Sequence, residues 1–413
     1  MGDSNVITKS DSWIAERYCC DQYTIIIYFV IYHYEILMLD YRNILIVYLK
    51  GNESEKHATF HLIDQVVLGV TRTVVDNGFV LGLDFGGTKM AIATANAERR
   101  VIRRTELRTG AYMHGLAALH EALNAGRSLV EESCAETGGT LQGIGIATMG
   151  ITLSNHVVMA PNVPGWQDLR IEETVRGFFP NTRVRMDNDV KTAALGELKR
   201  GALVDVSPGL YVNLGTGIAV AYTLGDQVLG GRHGAAGEIA YCLRRVDEQK
   251  GFRDGFSPVE DFLGGRAIGA RASEQFAQSL TAADLFRMAE TDTQAHEFVD
   301  AVLKELAFQL TNLIIAWDPE KVVIGGGLMG AKETILPYLD RWLQKFVPFP
   351  PLLSEASFLR DAGLHGAIEL AWWDNRENTQ KEHDHEPYII RNSESTGQVA
   401  TNADGDPIPL AGD

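Results

Sequence analysis

Cysteine is scarce in this sequence: four occur in 413 residues, two of them adjacent at Cys19 and Cys20. That is too few for a disulfide framework in a chain this long, so reduced thiols and a cytoplasmic setting are expected. Basic charge is also short, with 37 Lys and Arg against 54 Asp and Glu and a formal net charge of −17. Broad attachment to nucleic acid needs clustered cations to neutralise phosphates, so no nucleic-acid partner is expected. Unbroken apolar runs are lacking too. The stretch Tyr23 to Leu49 is interrupted by His33, Glu35, Asp40, Arg42 and Asn43, whereas a membrane span needs about 20 nearly continuous apolar residues. No basic segment followed by a short apolar run and a small-residue cleavage site opens the chain, so neither a membrane role nor a secretory signal is expected.

What is present has the balance of a globular protein, with 45% hydrophobic and 22% charged residues. The length suffices for two domains, or one bilobal domain, with extensions. Residues 1–76 lack the turn and cap punctuation of the remainder and are read as an extension without assigned function. From Gly78 the texture changes. Phe79 to Asp84, Met90 to Ala95 and Arg99 to Leu107 read as consecutive strands with hairpin connections. Leu116 to Glu136 reads as a helix, Ile144 to Thr148 and Arg183 to Met186 as strands, and Val190 to Arg200 as a helix ended by Gly201. A second set of this kind begins with strands at Leu210 to Leu214 and Ile218 to Leu224. The long helix Phe298 to Trp317 follows, with apolar residues at helical spacing. The buried strand Lys321 to Ile324 comes next. After Trp373 the chain turns polar without periodicity, and 376–413 is expected to be a disordered tail.

Three glycine turns leave apolar strands. The loop Asp84, Phe85, Gly86, Gly87, Thr88, Lys89 runs from strand to strand, unlike a Walker A loop or a dinucleotide fingerprint, both of which lead into helices. Its glycines let backbone NH groups approach phosphate oxygens. Thr88 adds a hydroxyl donor, Lys89 a positive charge, and Asp84 a carboxylate able to hold a hydrated Mg²⁺. Alone, the loop reads equally well as a tight hairpin. Gly215, Thr216 and Gly217 repeat the arrangement, and Gly325, Gly326 and Gly327 offer a flat backbone surface for a nucleoside. The three in this order imply two similar lobes gripping a nucleotide. Between the first two turns, Asp189 stands at the end of a strand and the start of a helix, beside Asn188. On spacing alone Asp189 reads as an N-cap, since Asp is among the preferred caps. Phosphoryl transfer, however, needs a carboxylate to take the proton of the attacking hydroxyl, and Asp189 is the natural candidate.

At these residues the sequence resembles the ROK family (repressor, open reading frame, kinase) over about Gly78 to Trp373. The resemblance rests on LDFGGTK at Leu83 to Lys89, APNVPGW at Ala160 to Trp166 and DNDVKTAALGE at Asp187 to Glu197. NLGTGI at Asn213 to Ile218, GAAGE at Gly234 to Glu238 and VIGGG at Val323 to Gly327 complete it. It implies an α/β, two-lobed actin-like ATPase (ribonuclease H-like) fold, each lobe a mixed sheet flanked by helices. The lobes are expected at 77–193 with 360–375 returning, and at 194–359. The implied activity is ATP-dependent phosphorylation of a hexose or hexose derivative, with ATP and Mg²⁺ as cofactors and a homodimer as the assembly. By resemblance Asp189 is the general base. Asn188, Gly150, Asn162, Glu238 and Glu260 line the sugar, their carboxylates and amides being suited to polyols.

One departure is specific. The family has a histidine three residues after the GE glutamate, contacting sugar and binding a zinc whose other ligands are three cysteines. Here those places are Tyr241, Gly251, Arg253 and Pro258, none a usual zinc ligand. No structural zinc is expected, and Phe252, Phe256, Pro258 and Phe262 supply apolar surface to fix the loop instead. The tyrosine hydroxyl can partly replace the histidine's bond to sugar. Alternative readings are a catalytically silent sugar sensor and a ROK-type transcriptional regulator. The second lacks support from a helix-turn-helix pattern in residues 1–76, and the first is opposed by retention of Asp189 and all three glycine turns. Polyphosphate in place of ATP stays open.

Overall fold

The computed structural model describes residues 77–112, 114–152, 156–160, 163–167 and 169–373, together with the backbone of four short strands nearer the N-terminus. The disorder expected at 376–413, most of the extension 1–76 and the sugar contact expected of Asn162 fall outside the described residues. Two compact units emerge: residues 1–78 with 134–140, and residues 79–133 with 141–413.

In the first unit, β1 (Ala15–Cys20) pairs antiparallel with β2 (Tyr23–Tyr28), and β3 (Met38–Asp40) with β4 (Leu45–Val47). The Asn77 side-chain amide donates to the Thr137 carbonyl at 3.0 Å. Among the described residues no helix is long and apolar enough to cross a membrane.

The second unit holds two five-stranded sheets. In the first, β5 (Phe79–Phe85), β6 (Lys89–Asn96) and β7 (Val101–Arg108) form an antiparallel meander. Helix α1 (Gly115–Thr137) carries the chain across to β8 (Leu141–Thr148), which lies parallel to β5, and β11 (Arg183–Asn188) lies parallel to β8. A short pair, β9 (Ile151–Thr152) and β10 (Val157–Val158), and helix α2 (Ile171–Phe178) fill the connection between β8 and β11. Helix α3 (Asp189–Arg200) leads into the second sheet. There β12 (Gly209–Leu214), β13 (Ile218–Leu224) and β14 (Gln227–Val228) repeat the meander, and β15 (Lys321–Gly325) and β16 (Leu352–Glu355) repeat the parallel strands.

Numbered within each sheet, the strand order is 5-4-1-2-3 in both. The sequence shows only the strand, turn, strand opening of this duplication; the full order appears once the strands pair. Mixed sheets flanked by helices, twice over, make the two-lobed actin-like fold.

The central strand β5 is almost wholly buried because helices cover both faces. On one face Leu81, Leu83 and Phe85 pack with Leu119 and Leu123 of α1. On the other, Val80 and the alanines of β6 meet Leu364 and Ile368 of α9 (Ala362–Trp372). The second sheet packs on α5 (Gly265–Phe276), α6 (Ala282–Met288), the 25-residue α7 (Thr293–Trp317) and α8 (Lys332–Phe346). Helices α9 and α3 cross closely at glycines: a Cβ on Gly196 would lie 3.0 Å from the Gly366 amide. The helix that begins at Asp189 is thus backed by a helix from the end of the chain, a proximity invisible in the sequence.

Candidate active site

The first glycine turn is held by backbone bonds. The Gly86 amide donates to the Lys89 carbonyl at 3.0 Å, and a Cβ on Gly86 would stand 2.9 Å from that same oxygen. From the end of β7, the Thr109 hydroxyl donates to the Gly86 carbonyl at 2.7 Å and its amide to the Thr88 carbonyl at 3.0 Å. Gly87 and Thr88 remain exposed at the tip. Lys89 is committed to ion pairs with Glu106 at 3.1 Å and Asp361 at 3.4 Å.

The second turn is braced differently. The Gly215 amide donates to the Gly217 carbonyl at 3.0 Å, while Gly265 and Arg266, opening α5, donate to the Gly215 and Thr216 carbonyls at 3.0 and 3.1 Å. Glu260, in the short helix α4 (Glu260–Leu263), accepts from the Ile218 amide at 3.1 Å. A Cβ on Gly217 would collide with that carboxylate, which would have to swing aside to make room for it. At the third turn, Gly326 takes a φ of +92°, favourable only for glycine, and a side chain there would strike the Leu214 carbonyl. Gly325 covers the hydroxyl of the buried Tyr211, whereas a side chain on Gly327 would meet nothing.

The two readings of Asp189 separate here. Asn188 is the N-cap of α3: its Oδ1 accepts from the Val190 and Lys191 amides at 2.9 and 3.2 Å. Its Nδ2 donates to the Gly150 carbonyl at 2.9 Å. Asn188 is therefore buried with both acceptor sites and one of two donors spent on backbone, which leaves at most one N–H for a sugar. Asp189 occupies the first helical position, with one carboxylate oxygen accepting from the Val190 amide at 2.8 Å. Burial pushes its carboxyl up to about 6; the nearby Glu238 charge adds to the rise, while the Val190 amide and Lys191 oppose it. Asp84, at the end of β5, is pushed up to about 7 by burial and by the charges of Asp189 and Asp361, against the pull of Lys89. Two carboxylates, at the C-terminal ends of β5 and β11, are thus both pushed well above the usual carboxylate range, and the charge of Asp189 reaches Asp84; such shifts cluster where proteins bind or transform ligands.

Glu238 follows Gly237, whose φ of +90° brings the backbone against the Val220 carbonyl. Burial raises its carboxyl and Glu260 adds to this, with Lys191 opposing. Tyr241 hydrogen-bonds Ser257 and packs edge-on against Phe252 at 5.3 Å. In the loop where the family's zinc ligands would lie, Lys250 stands over Phe256 at 4.7 Å, and Arg244 of that loop and Arg271 of α5 lie on Phe262 of α4 at 3.5 and 3.8 Å. The residues at the four zinc places do not fit the metal. Trp166 of PNVPGW is a core anchor, edge-on to Phe85 at 5.3 Å and donating to the Thr148 hydroxyl at 3.0 Å.

Sequence reading missed three residues of this region. Lys191 is 2% exposed, and its charge acts on Asp187, Asp189 and Glu238 alike. A buried ammonium needs carboxylate partners, but a lysine in a helix's first turn gives no sign of its burial. Glu197, fully buried, accepts from the Ala202 and Phe358 amides at 2.7 and 2.8 Å and so ties α3 to the strand-to-helix connection before α9. Asp361 joins the first glycine turn from the far end of the chain.

The model of the ROK family matches residues 80–373. A glucokinase of Halalkalibacterium halodurans is 27% identical over 320 residues, covering 69% of this chain and 92% of that protein. An N-acetylmannosamine kinase of Salmonella heidelberg is 30% identical over 301 residues, covering 71% and 98%. Among solved structures, a ROK hexokinase from Thermus thermophilus superposes with a TM-score of 0.60 at 29% identity, covering 71% of this chain and 98% of its own.

Proposed function

Because the chain belongs to the ROK family, we propose that it is an ATP-dependent sugar kinase that phosphorylates a hexose or hexose derivative. The observation that carries this reading is the state of Asp189: its capping duty is taken by Asn188, and burial holds its carboxyl near neutrality. In the proposed reaction Asp189 accepts the proton of a sugar hydroxyl as that oxygen attacks the γ-phosphorus. The bond from phosphorus to the bridging oxygen breaks, ADP leaves, and the proton remains on Asp189 until product departs. Glu238, Tyr241, Glu260, the remaining Asn188 N–H, Gly150 and Asn162 orient the sugar. Gly86, Gly87, Thr88 and Lys89 on one side, and Gly215, Thr216 and Gly217 on the other, receive the phosphates, with Gly325, Gly326 and Gly327 beside the nucleoside.

Asp84 would hold the magnesium that arrives with ATP, and the ion would neutralise phosphate charge. A single carboxylate suits a hydrated ion delivered with its nucleotide better than a resident one. Similarity to kinases of glucose and of N-acetylmannosamine supports the acceptor class. We further place the lobes at 77–193 with 360–375 and at 194–359, working as a homodimer in the cytoplasm.

A coupled ADP-release assay over hexoses, N-acetylhexosamines and ketoses, with ATP and with polyphosphate as donor, tests the reading. Turnover with at least one sugar is expected. Nucleotide binding with no turnover on any sugar would replace the kinase by a sugar sensor.

A further inference from the structure

Four charged side chains gather behind the first glycine turn, and no motif of the family resemblance contains the one at their centre. Lys89 ends the turn and opens β6. On β7, Arg104 and Glu106 lie opposite Ala93 and Ala91, so all three charged residues share one face of the sheet. That face is the one α9 covers, since Ala91 and Ala93 pack with Leu364 and Ile368. Asp361 is the N-cap residue of α9 yet gives its own helix no side-chain bond. Its carboxylate instead receives the Arg104 guanidinium through two bonds of 2.8 Å and the Lys89 ammonium at 3.4 Å. Glu106 completes the set, bonded to Lys89 at 3.1 Å and to Arg104 at 3.4 Å.

The geometry has two consequences for the turn. The bidentate pair with Arg104 is directional and fixes where the Asp361 carboxylate stands. That in turn fixes Lys89, the turn's only cation. Two residues further on, a Cβ on Gly363 would lie 2.6 Å from Asp84 Oδ1, so the first turn of α9 abuts the Asp84 carboxylate. Asp361 thus contacts one charged member of the turn directly and stands at the start of the helix that abuts the other.

We propose that Asp361 is the positioning residue of the phosphate-binding turn, holding Lys89 and, through α9, Asp84 in place for the nucleotide while taking no part in sugar recognition. This rests on the kinase reading for the identity of the nucleotide. A surface staple would also show this ion pairing, and with the Asp361 side chain only 18% exposed its loss would lower stability. The two roles differ in what they do to ligands. A staple moves the melting temperature and leaves the affinities of folded protein alone; a positioning residue moves nucleotide affinity selectively.

The test uses the full chain carrying Asp361→Asn, which keeps shape and removes the charge, and separately Arg104→Met, which keeps Asp361 and removes its bidentate partner. ADP affinity is measured by calorimetry without sugar, and KM for ATP and for the sugar found in the acceptor panel by steady-state kinetics at a temperature where each variant is folded. Asp361→Asn should weaken ADP and raise KM for ATP about tenfold, the scale of a lost charge-assisted pair, with the sugar KM within about twofold. Arg104→Met should move both nucleotide values in the same direction by less. Nucleotide values unchanged in both variants, or nucleotide and sugar affinities falling in parallel, would overturn the proposal. If Asp361→Asn does not fold, Arg104→Met decides. Wild type that binds ADP but phosphorylates no sugar would remove the kinase reading and leave the calorimetric comparison to judge Asp361.

Discussion

At the first turn of one sheet, a Cβ on Gly86 would press on the Lys89 backbone; at the same turn of the other, a Cβ on Gly217 would press only on the end of the flexible Glu260 side chain. The two sheets share one strand order, yet the first turn is set among charges, with Asp84, Lys89, Arg104 and Asp361 around it. The second is closed by backbone bonds to α5 and a single carboxylate. Strand order duplicates geometry without duplicating chemistry. Because α3 leaves the first sheet at its edge, Asp189, the proposed base, belongs to the charged half, and the turn of the other half is held mainly by backbone.

The largest effect that would sharpen this contrast is at Asp189. Asp189→Asn should lower kcat by about 10²- to 10⁴-fold and leave sugar affinity, read by calorimetry, largely intact; a variant keeping more than about a tenth of wild-type kcat would remove Asp189 as the base. The same substitution should act on stability with a definite sign. The carboxyl is raised from 3.8 to about 6 in the folded chain, so the native state holds more protons than the unfolded state in that window. Its contribution is fully present below the unfolded value and is lost as pH rises through about 6. Asp189→Asn removes the cost of the buried charge. Its melting temperature should match wild type near pH 4 and exceed it near pH 7; a gap that shrinks with rising pH would contradict this.

Smaller effects are expected at the turns. Gly86→Ala forces the backbone to move and should raise KM for ATP about tenfold, in line with overpacking costs of about 1–3 kcal/mol. Gly217→Ala needs only the Glu260 carboxylate to swing off the Ile218 amide, a bond worth about 1 kcal/mol. KM for ATP should then change less than about threefold while the sugar KM rises more. Equal responses of the two turns would dissolve the distinction between them. The smallest effect should come from a zinc-selective chelator in excess Mg²⁺, which is expected to leave activity unchanged, with metal analysis giving far less than one zinc per chain. Stoichiometric zinc lost together with activity would show that the loop before Glu260 has been misaligned with the family's.

The sequence by itself determined the repeated strand, glycine turn, strand unit, because alternation of apolar residues and the backbone freedom of glycine are local properties. It placed Asp189 at a strand-to-helix boundary for the same reason. It could not choose between cap and base: Asn and Asp are equally good caps, and only the folded backbone shows that Asn188 takes both helix amides. Nor could it show that Glu260 braces the Ile218 amide, that Lys191 is buried among carboxylates, or that Asp361 pairs with Lys89 from 272 residues away. Hydrogen bonds and charges act over a few ångströms, and which residues come within that reach across the chain is decided when α9 packs on the first sheet and against α3.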